Sequence, residues 1–535
     1  MRRALSRREF TRLAAAAGAL TILPLGSALS QVRFASYPFQ LGVASGDPAA
    51  DGFVIWTRLA PEPFAPEALG STTYELAWEV AEDQGFARIR ASGTGLAYPH
   101  LAHALHVEVG GLDAGREYFY RFRLGRYESP TGRALTCPAG ETSRSLRFAV
   151  ASCAHYEQGF FSAYRYIADD RPDLMLMLGD YIYEEAWGER RVRLFDTLEA
   201  QTLTDYRRRY TQYRTDPDLQ AAHAACPWLS IWDDHEVDND YAALTGENEL
   251  CGGDAVRQSF PARRAAAYQA FFEHMPVRPS RLSPGMAARL YGTVDWGTLA
   301  RFYLLDTRQY RSVQACQNPP TPLRCDSDRG RKILFSGAGG GSFVDPGEPA
   351  CKAALADPAR TMLGSEQERW LDAALADSQA NWNVLAQSIM FVTILESWNE
   401  SPRIFTDAWA GYAPARERLL SALARHETAN PVVLTGDIHS FWVNEVANAA
   451  GRPVGVEFVT SSIATSTSDR SQALPLNPQV RFHEGQHSGY IRCELDHDRL
   501  RADLVAIDDR LDPRSGRSVL ASFEVHNGEP HAQRV

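Results

Sequence analysis

The stretch "PDLMLMLGDYIYE" (Pro172–Glu184) joins a run of apolar residues to a polar end. Its run from Leu174 to Leu178 has the length and the continuous hydrophobicity of a strand inside a sheet. Asp180 follows this run, and Tyr183 comes three residues later. Two interpretations are open: the two side chains pack locally, or both face a metal ion. Three other segments of the chain favour the second interpretation.

Each of these segments is also an apolar run of strand length that ends in residues able to bind metal. They are "FAVASCAH", ending at Cys153; "WLSIWDDHEVDNDY", with Asp233, Asp234 and His235; and "PVVLTGDIHSFW", with Asp437 and His439. One such segment alone is weak evidence, because an aspartate at a strand end caps a helix as readily as it binds a metal. Burying so many carboxylates and imidazoles together without a cation would be very costly. The four segments together therefore predict a metal centre.

From Leu146 onward, runs of strand length alternate with stretches of helical periodicity. The runs include "RFAVAS", "PWLSIW", "ARFYLLD" and "NWNVLAQS", and the helical stretches include "SFPARRAAAYQAFFEHM" and "SEQERWLDAALADS". Such alternation is typical of an α/β architecture. In these folds the chemistry lies outside the carboxyl ends of the strands, where the four segments place their polar residues.

The first part of the chain has a different pattern. Short alternating runs such as "GFVIWTRL", "TYELAWEV" and "EYFYRFRLG" predict an all-β sandwich over residues 40–137. The stretch "GVASGDP" (Gly42–Pro48) is interpreted as a turn-rich loop. A chain of 535 residues is too long for one ordinary domain. We therefore expect a second, catalytic domain over residues 146–535.

The N-terminus carries the features of an export signal. "SRREFTR" (Ser6–Arg12) contains a twin-arginine pair, and the apolar run that follows, Leu13–Leu25, is too short to span a bilayer comfortably. We expect residues 1–30 to be removed after passage through the twin-arginine machinery, leaving a periplasmic or secreted protein without a stable membrane anchor. The alternative interpretation is an N-terminal anchor helix.

The net charge and the cysteines give further predictions about the binding partners and the disulfides of the protein. The formal net charge is −11, so no general footprint for nucleic acid is present. An acidic protein that handles an anionic substrate needs local positive charge, and metal ions supply it most strongly. Cys316, Cys325 and Cys351 lie in one loop-rich stretch, and at least one disulfide is expected there.

Taken in order, these motifs resemble the calcineurin-like metallophosphoesterases, and within them the PhoD-like alkaline phosphatases and phosphodiesterases. The resemblance covers nearly the whole chain and rests on the twin-arginine signal, "GVASGDP", "FAVASC", "GDYIYE", "WDDHEVDNDY", "DTRQYR" and "LTGDIHS". It implies a β-sandwich flanked by helices (αββα), preceded by a small immunoglobulin- or fibronectin-like all-β domain. Many members of the superfamily have Asp-x-His after the first strand. Here "SCAH" (Ser152–His155) stands in that place, as in the PhoD-like subgroup, with Cys153 as the ligand.

The resemblance also implies a set of metal ligands. Iron would be held by Cys153, Asp180, Tyr183 and His439, and Asp180 would bridge to a second ion held by Asp234 and Asp437. A phenolate together with a thiolate favours Fe³⁺ over magnesium. Asp233, Asn239 and Asp240 are hard oxygen donors that suit Ca²⁺, although their spacing alone does not assign them.

The implied activity is the hydrolysis of phosphate mono- or diesters by a metal-activated hydroxide. His235 could protonate the leaving alkoxide or hold a phosphate oxygen. Arg308 could clamp the phosphate with its planar fork, or it could pair with Asp306. Two other functions stay open. One is a phospholipase D that acts on phospholipid head groups, and the other is a non-catalytic protein whose sandwich binds a partner at the cell surface.

Overall fold

The computed structural model describes residues 33–188, 190–246, 259–281, 288–316, 324–326, 331–333, 343–398 and 401–535. The predicted export signal (1–30) lies outside the described residues. Among the helices that the structure describes, none is both long and apolar enough to cross a membrane.

The N-terminal segment consists almost entirely of strands. They are β1 (Val43–Ala49), β2 (Gly52–Arg58), β3 (Tyr74–Ala81), β4 (Ile89–Ala97), β5 (Ala104–Val109), β6 (Glu117–Leu124), β7 (Tyr127–Glu128) and β8 (Gly132–Leu135). Two layers form, one from β1, β2 and β5 and the other from β4, β3, β6 and β7, with β8 paired to β6. Phe53, Ile55, Leu76 and Tyr120 belong to the core between them.

The next segment alternates strands and helices, as predicted. It contains β9 (Ser145–Ala151), α1 (Ser162–Asp170), β10 (Leu174–Leu178), α2 (Leu203–Arg214), α3 (Pro217–Ala225), β11 (Pro227–Ile231) and α4 (Phe260–His274). Strands β9, β10 and β11 pair in parallel. Helix α2 begins with a capping box between Thr202 and Asp205, which satisfies backbone N–H groups of its first turn.

A third segment builds the opposite layer. It contains β12 (Gly292–Trp296), β13 (Ala300–Leu304), β14 (Arg324–Asp326), β15 (Arg331–Ile333), β16 (Phe343–Val344), α5 (Pro349–Leu355), α6 (Gly364–Ala376), β17 (Trp382–Ala386), β18 (Glu396–Trp398), β19 (Ser401–Phe405), α7 (Ala413–Arg425), β20 (Pro431–Thr435), β21 (Phe441–Ala447), β22 (Pro453–Val459) and β23 (Val480–Glu484). Four strands close the chain: β24 (Gly489–Asp496), β25 (Arg499–Ile507), β26 (Arg517–His526) and β27 (Ala532–Arg534).

Two large sheets face each other and form the predicted sandwich. The first has the order β27-β26-β25-β24-β9-β10-β11-β1-β2-β5, and the second has the order β12-β13-β17-β20-β22-β21-β23. Alternate residues of the second sheet face opposite ways, as the twofold period of a strand requires. Phe302 and Val384 join the core between the sheets, whereas Tyr303 and Leu385 join a separate core that includes Leu371 and Leu375 of α6 and Leu419 and Leu423 of α7. The mixed α/β fold is therefore as expected.

The interpretation of "GVASGDP" as a loop is wrong. These residues lie largely in β1, which pairs antiparallel with β2 and in parallel with β11, so the first large sheet runs on into the N-terminal segment. Gly46 explains why this strand has the composition of a turn. A Cβ at Gly46 would lie 2.3 Å from the carbonyl oxygen of Pro276 and 2.8 Å from that of Trp228, so close approach of the backbones requires glycine there.

The predicted disulfide is confirmed by a bond between Cys316 and Cys351. It joins the loop that follows β13 to helix α5, beside a small core that includes Val344 and Ile404. The cysteines described as free are all buried: Cys137, Cys153, Cys226 and Cys493.

Candidate metal centre

Strand register brings the polar ends of both sheets to one edge of the sandwich. In the first sheet Met177 lies beside Ala151 and Ser230, and in the second sheet Ala386 lies beside Leu304 and Leu434. A potential ligand follows four of these strands by two residues. They are Cys153 after β9, Asp180 after β10, Asp233 after β11 and, in the second sheet, Asp437 after β20. The two edges meet, because Ser152 forms a β-bridge with Ser462 and the backbone N–H of Ile463 donates to the Ser152 carbonyl oxygen (2.8 Å).

One group of side chains contains the four residues that the resemblance assigns to iron. A ligand atom from each of Cys153, Asp180 and His439 lies within 4.8 Å of the others. The Tyr183 hydroxyl donates to Asp180 Oδ2 (2.9 Å) and lies 3.1 Å from His439 Nε2. All four residues thus share one site, in which only His439 is half-buried and the others are buried. Their donors are a thiol, a carboxylate, a phenol and an imidazole.

The second group consists of carboxylates. Asp233, Asp234 and Asp437 form one cluster of potential ligands, and Asp234, Asp240 and Asp407 form another beside it. Asp240 also donates its backbone N–H to Asp234 Oδ2 (2.7 Å). Asn239 is half-buried in the same turn, and its backbone N–H donates to Glu184 Oε1 (2.9 Å).

Asp407 was not among the sequence-predicted site residues. It follows β19 by two residues, which is the same design as in the four recognised segments, but "SPRIF" lacks their continuous run of apolar residues. Its carboxylate accepts hydrogen bonds from Gln314 (2.5 Å) and Arg308 (2.6 Å). The available signal was an aspartate two residues after a possible strand.

Arg308 lies at the centre of these carboxylates and is fully buried. Its Nε donates to Asp233 and its Nη1 to Asp407, while Nη2 lies 3.5 Å from Asp234 and 3.6 Å from Asp437. Asp306 accepts the backbone N–H groups of Arg308 (3.1 Å) and Gln309 (2.9 Å) instead of pairing with the guanidinium. The arginine offsets part of the negative charge, but not all of it.

Four carboxylate oxygens in this site accept no hydrogen bond from the described residues. They are Asp180 Oδ1, Asp233 Oδ2, Asp234 Oδ1 and Asp437 Oδ2, and all are buried. Asp234 Oδ1 lies 3.5 Å from Arg308 Nη2, too far for a good hydrogen bond. Buried polar atoms are nearly always paired, so four oxygens in one place without a hydrogen-bond donor call for a further positively charged partner. The donor set, with its thiol, phenol and imidazole beside several carboxylates, fits metal ions.

The pKa values of these groups also indicate a site that needs a cation. Burial raises the pKa of Asp437 well above its ordinary value, helped by the charge of Asp233. Burial also raises the pKa of Cys153 and of Tyr183, and the carboxylate of Asp180 adds to both shifts. Burial lowers the pKa of His439 to about 3, helped by His235. Asp234 is the exception, because Arg308 and His235 outweigh burial and lower its pKa well below the ordinary value. For the thiol, the phenol and Asp437 the protein alone favours the neutral forms, and a cation would stabilise the thiolate, the phenolate and the carboxylate.

His235 is held by a residue that the sequence did not single out. Its Nδ1 lies 2.7 Å from Oε2 of the fully buried Glu184. Burial lowers the pKa of His235, but the charges of Glu184, Asp234 and Asp180 outweigh burial and raise this pKa well above its ordinary value. The ring also packs on Tyr183, with centroids 4.2 Å apart. Glu184 thus fixes the orientation of the imidazole beside the metal centre.

Two further residues support the group formed by Cys153, Asp180, Tyr183 and His439. Thr465 donates its hydroxyl to the Cys153 carbonyl oxygen (2.7 Å), and its Oγ1 lies 3.3 Å from the Tyr183 oxygen. The half-buried Trp187 stacks on His439, with centroids 6.0 Å apart and an interplanar angle of 5°. Neither had a recognisable signal in the sequence, since both lie in irregular segments.

An α/β sandwich with a buried, carboxylate-rich centre at its strand ends defines the metallophosphoesterase class, and similarity to known proteins agrees. Residues 148–504 match the PhoD-like phosphatase family, and residues 26–138 match the N-terminal domain of PhoD-like phosphatases. The chain is 39% identical to alkaline phosphatase D of Bacillus subtilis (strain 168), over 99% of this chain and 89% of that protein.

Solved structures extend the comparison. A structure of PhoD superposes with a TM-score of 0.83 at 39% identity, covering 94% of this chain and 93% of that one. A purple acid phosphatase from yellow lupin seeds superposes with a TM-score of 0.55 at 12% identity, covering 92% of this chain and 74% of that one, and so shows a shared fold. The chain belongs to the PhoD-like phosphatase family. The expected class of phosphoric ester hydrolase is confirmed, against the alternative of a non-catalytic binding protein.

Proposed function

We propose that the protein hydrolyses phosphate mono- or diesters at a multinuclear centre that contains Fe³⁺ and Ca²⁺. The observation that carries this proposal is the set of four buried carboxylate oxygens without hydrogen-bond donors, next to a thiol, a phenol and an imidazole. Phenolate and thiolate ligands suit a trivalent ion, and carboxylates suit calcium.

The iron ligands would be Cys153, Asp180, Tyr183 and His439. Asp180 would also bind the second cation, together with Asp234 and Asp437. Asp233, Asn239, Asp240 and Asp407 are further oxygen donors near this cation. Bound cations would supply an acidified water molecule and positive charge against the phosphoryl oxygens.

The chain's own residues would then bind and move protons. His235, held at Nδ1 by Glu184, presents Nε2 as the donor of a proton to the leaving alkoxide. Arg308 is buried against Asp233 and Asp407, which favours a role in holding these carboxylates in place over direct contact with the substrate.

The test combines metal analysis of the purified protein with hydrolysis assays on one monoester and one diester. Iron and calcium near stoichiometric amounts, with phosphate released from at least one substrate, are the expected results. Zinc alone, or hydrolysis that survives complete removal of metals, would contradict the proposed centre.

A second candidate substrate is a phospholipid head-group ester. Leu194 and Leu198 are 57% and 63% exposed in the segment between Tyr183 and α2, and Leu244 is 58% exposed in a loop whose Ala243 N–H donates to the Arg308 carbonyl oxygen. Exposed leucines on loops that begin at the metal centre favour an amphiphilic substrate. Release of a head group from vesicles, lowered by Leu198→Ser and Leu244→Ser but with soluble diester hydrolysis unchanged, would support this candidate.

We also propose export in the folded state by the twin-arginine machinery, so that the metal is loaded before export. The support is the pair Arg7–Arg8 ahead of a short apolar run. Replacing both arginines with lysine should keep the precursor in the cytoplasm, as measured by activity in separated cell fractions. Unchanged periplasmic or extracellular activity would contradict this route.

A further inference from the structure

Glu236 is a buried carboxylate that is not among the potential metal ligands of the described residues. It follows Asp234 by two residues in the turn after β11. Its two oxygens accept three backbone N–H groups. Oε2 accepts those of Asp180 (3.0 Å) and Asp233 (2.7 Å), and Oε1 accepts that of Tyr181 (2.6 Å).

These three N–H groups lie beyond the last paired residues of β10 and β11, so the sheet does not satisfy them. Buried N–H groups need an acceptor, and the two oxygens of a carboxyl group provide one. Because Asp180 and Asp233 donate to the same oxygen atom, the two strand ends cannot separate without losing a bond. Asp180 also has a left-handed backbone (φ 55°), which needs such support from its surroundings.

We propose that Glu236 is a positioning residue that fixes Asp180 against Asp233 and Asp234 and thereby sets the affinity of the centre for its second cation. This inference rests on the proposed two-cation function. Three of the iron-side ligands, Cys153, Tyr183 and His439, donate no backbone hydrogen bond to Glu236. Loss of its carboxylate should therefore weaken the second cation's site more than the iron site.

A second buried glutamate provides a matched control. Glu457 on β22 is also fully buried and accepts the backbone N–H groups of Phe391 (2.7 Å) and Val392 (3.0 Å), along with side-chain donors of Thr435 and Asn444. None of these donors belongs to a proposed metal ligand. Glu457→Gln therefore removes a comparable buried carboxylate and its bonds from the other sheet.

The experiment compares wild type, Glu236→Gln, Glu236→Asp and Glu457→Gln as full-length, iron-containing proteins. Glutamine keeps the size of the side chain but places an NH₂ group against backbone N–H donors, whereas aspartate keeps the carboxyl group on a shorter stem. Equilibrium dialysis with radiolabelled calcium measures the affinity of the second site. Visible absorption measures retention of iron, and circular dichroism measures folding.

We expect Glu236→Gln to bind calcium at least tenfold more weakly while keeping iron and the fold, Glu236→Asp to lie between it and wild type, and Glu457→Gln to bind calcium as wild type does. Calcium binding by both Glu236 variants equal to that of wild type would overturn the inference alone. Equal weakening in Glu457→Gln would overturn it as well, because the effect would then be general destabilisation. Wild-type protein that binds neither metal would overturn the proposed function, and this inference with it.

Discussion

Four of the proposed ligands have a backbone conformation that residues with side chains rarely adopt. The φ angles of Cys153, Asp180, Asp437 and His439 are 61°, 55°, 68° and 54°. A residue with a Cβ in the left-handed region costs roughly 1–2 kcal/mol. Such conformations persist only when the surroundings impose them, and they are concentrated at functional sites. Here the turns bring these residues together at the edge where the two sheets meet.

At this scale the simplest prediction concerns Asp437. Asp437→Asn keeps the volume of the side chain and removes one charge from the cluster with Asp233 and Asp234. We expect the rate of phosphoester hydrolysis to fall by about 10³-fold or more, because a ligand of the metal centre is lost. Steady-state kinetics with metal analysis measures this. The exposed Asp498→Asn is the control and should leave the rate unchanged. Near-normal turnover with metal retained would contradict the ligand assignment.

Tyr183 allows a spectroscopic prediction. If its phenolate binds Fe³⁺, the purified protein should be coloured by charge transfer from ligand to metal. Tyr183→Phe keeps the buried ring and removes only the oxygen that contacts Asp180 and His439. We expect the visible band to shift or disappear while the protein stays folded. A colourless, fully active wild-type protein would show that Tyr183 is a packing residue.

Much of the site could be predicted from sequence because each of the four segments contains both its strand and its polar end. The site residues that the sequence did not reveal lack this combination of a strand and a polar end in one segment. Glu184 lies in the opening stretch itself, but nothing in "YIYE" shows that it meets His235, which is 51 positions away. Asp407 depends on a short strand of a three-stranded sheet, and the pairing of that strand is set by tertiary contacts. Long-range contacts of single side chains leave no periodic signal.

At the scale of elements, register decides which residues meet. The parallel pairing of β9, β10 and β11 places their ends level, so a shift by one residue would turn each ligand to the wrong face. The pairing of β1 with β11 could not be predicted from sequence, because a strand that contains Gly46, Asp47 and Pro48 has the composition of a turn. The close contact at Gly46 makes that composition necessary.

The buried His274 lies where β2, α2 and α4 pack together. It should make the free energy of unfolding depend on pH. His274 Nε2 lies 2.7 Å from Arg58 Nη1, and its Nδ1 lies 2.7 Å from the Ala270 carbonyl oxygen. Arginine can only donate, so the imidazole must accept at Nε2 and be neutral. Burial and the charge of Arg58 lower the pKa of His274 well below its ordinary value.

The sign of the effect follows from proton binding. Unfolded His274 takes up a proton as the pH falls below about 6.5, whereas the folded residue does not, so acid favours unfolding. We expect the free energy of unfolding to fall as the pH is lowered from 7.5 to 5.5, measured by urea unfolding of metal-free protein. His274→Gln should reduce this slope, and the exposed His497→Gln should not. An identical slope in His274→Gln would rule out this histidine as the source.

For the whole molecule, the proposed centre joins two layers that are built from distant parts of the chain. Asp180 and Asp234 follow strands of the first sheet, and Asp437 follows a strand of the second, so a bound cation links the sheets at one edge. A ligand that binds only the folded state stabilises it by mass action, by about 2.7 kcal/mol at a hundred times its dissociation constant. Without the cation, burial makes it costly to keep these carboxylates ionised across the same edge.

We therefore predict that removing the metals lowers the melting temperature by several degrees and that adding them back restores it. The measurement is scanning calorimetry of wild type before chelation, after chelation and after metal is returned, with metal content determined at each step. Asp437→Asn should show a smaller difference, since it has lost one link between the sheets, whereas Asp498→Asn should behave as wild type does. The prediction is wrong if the metals leave and the melting temperature stays the same, because the two sheets would then be held together at this edge by their core alone.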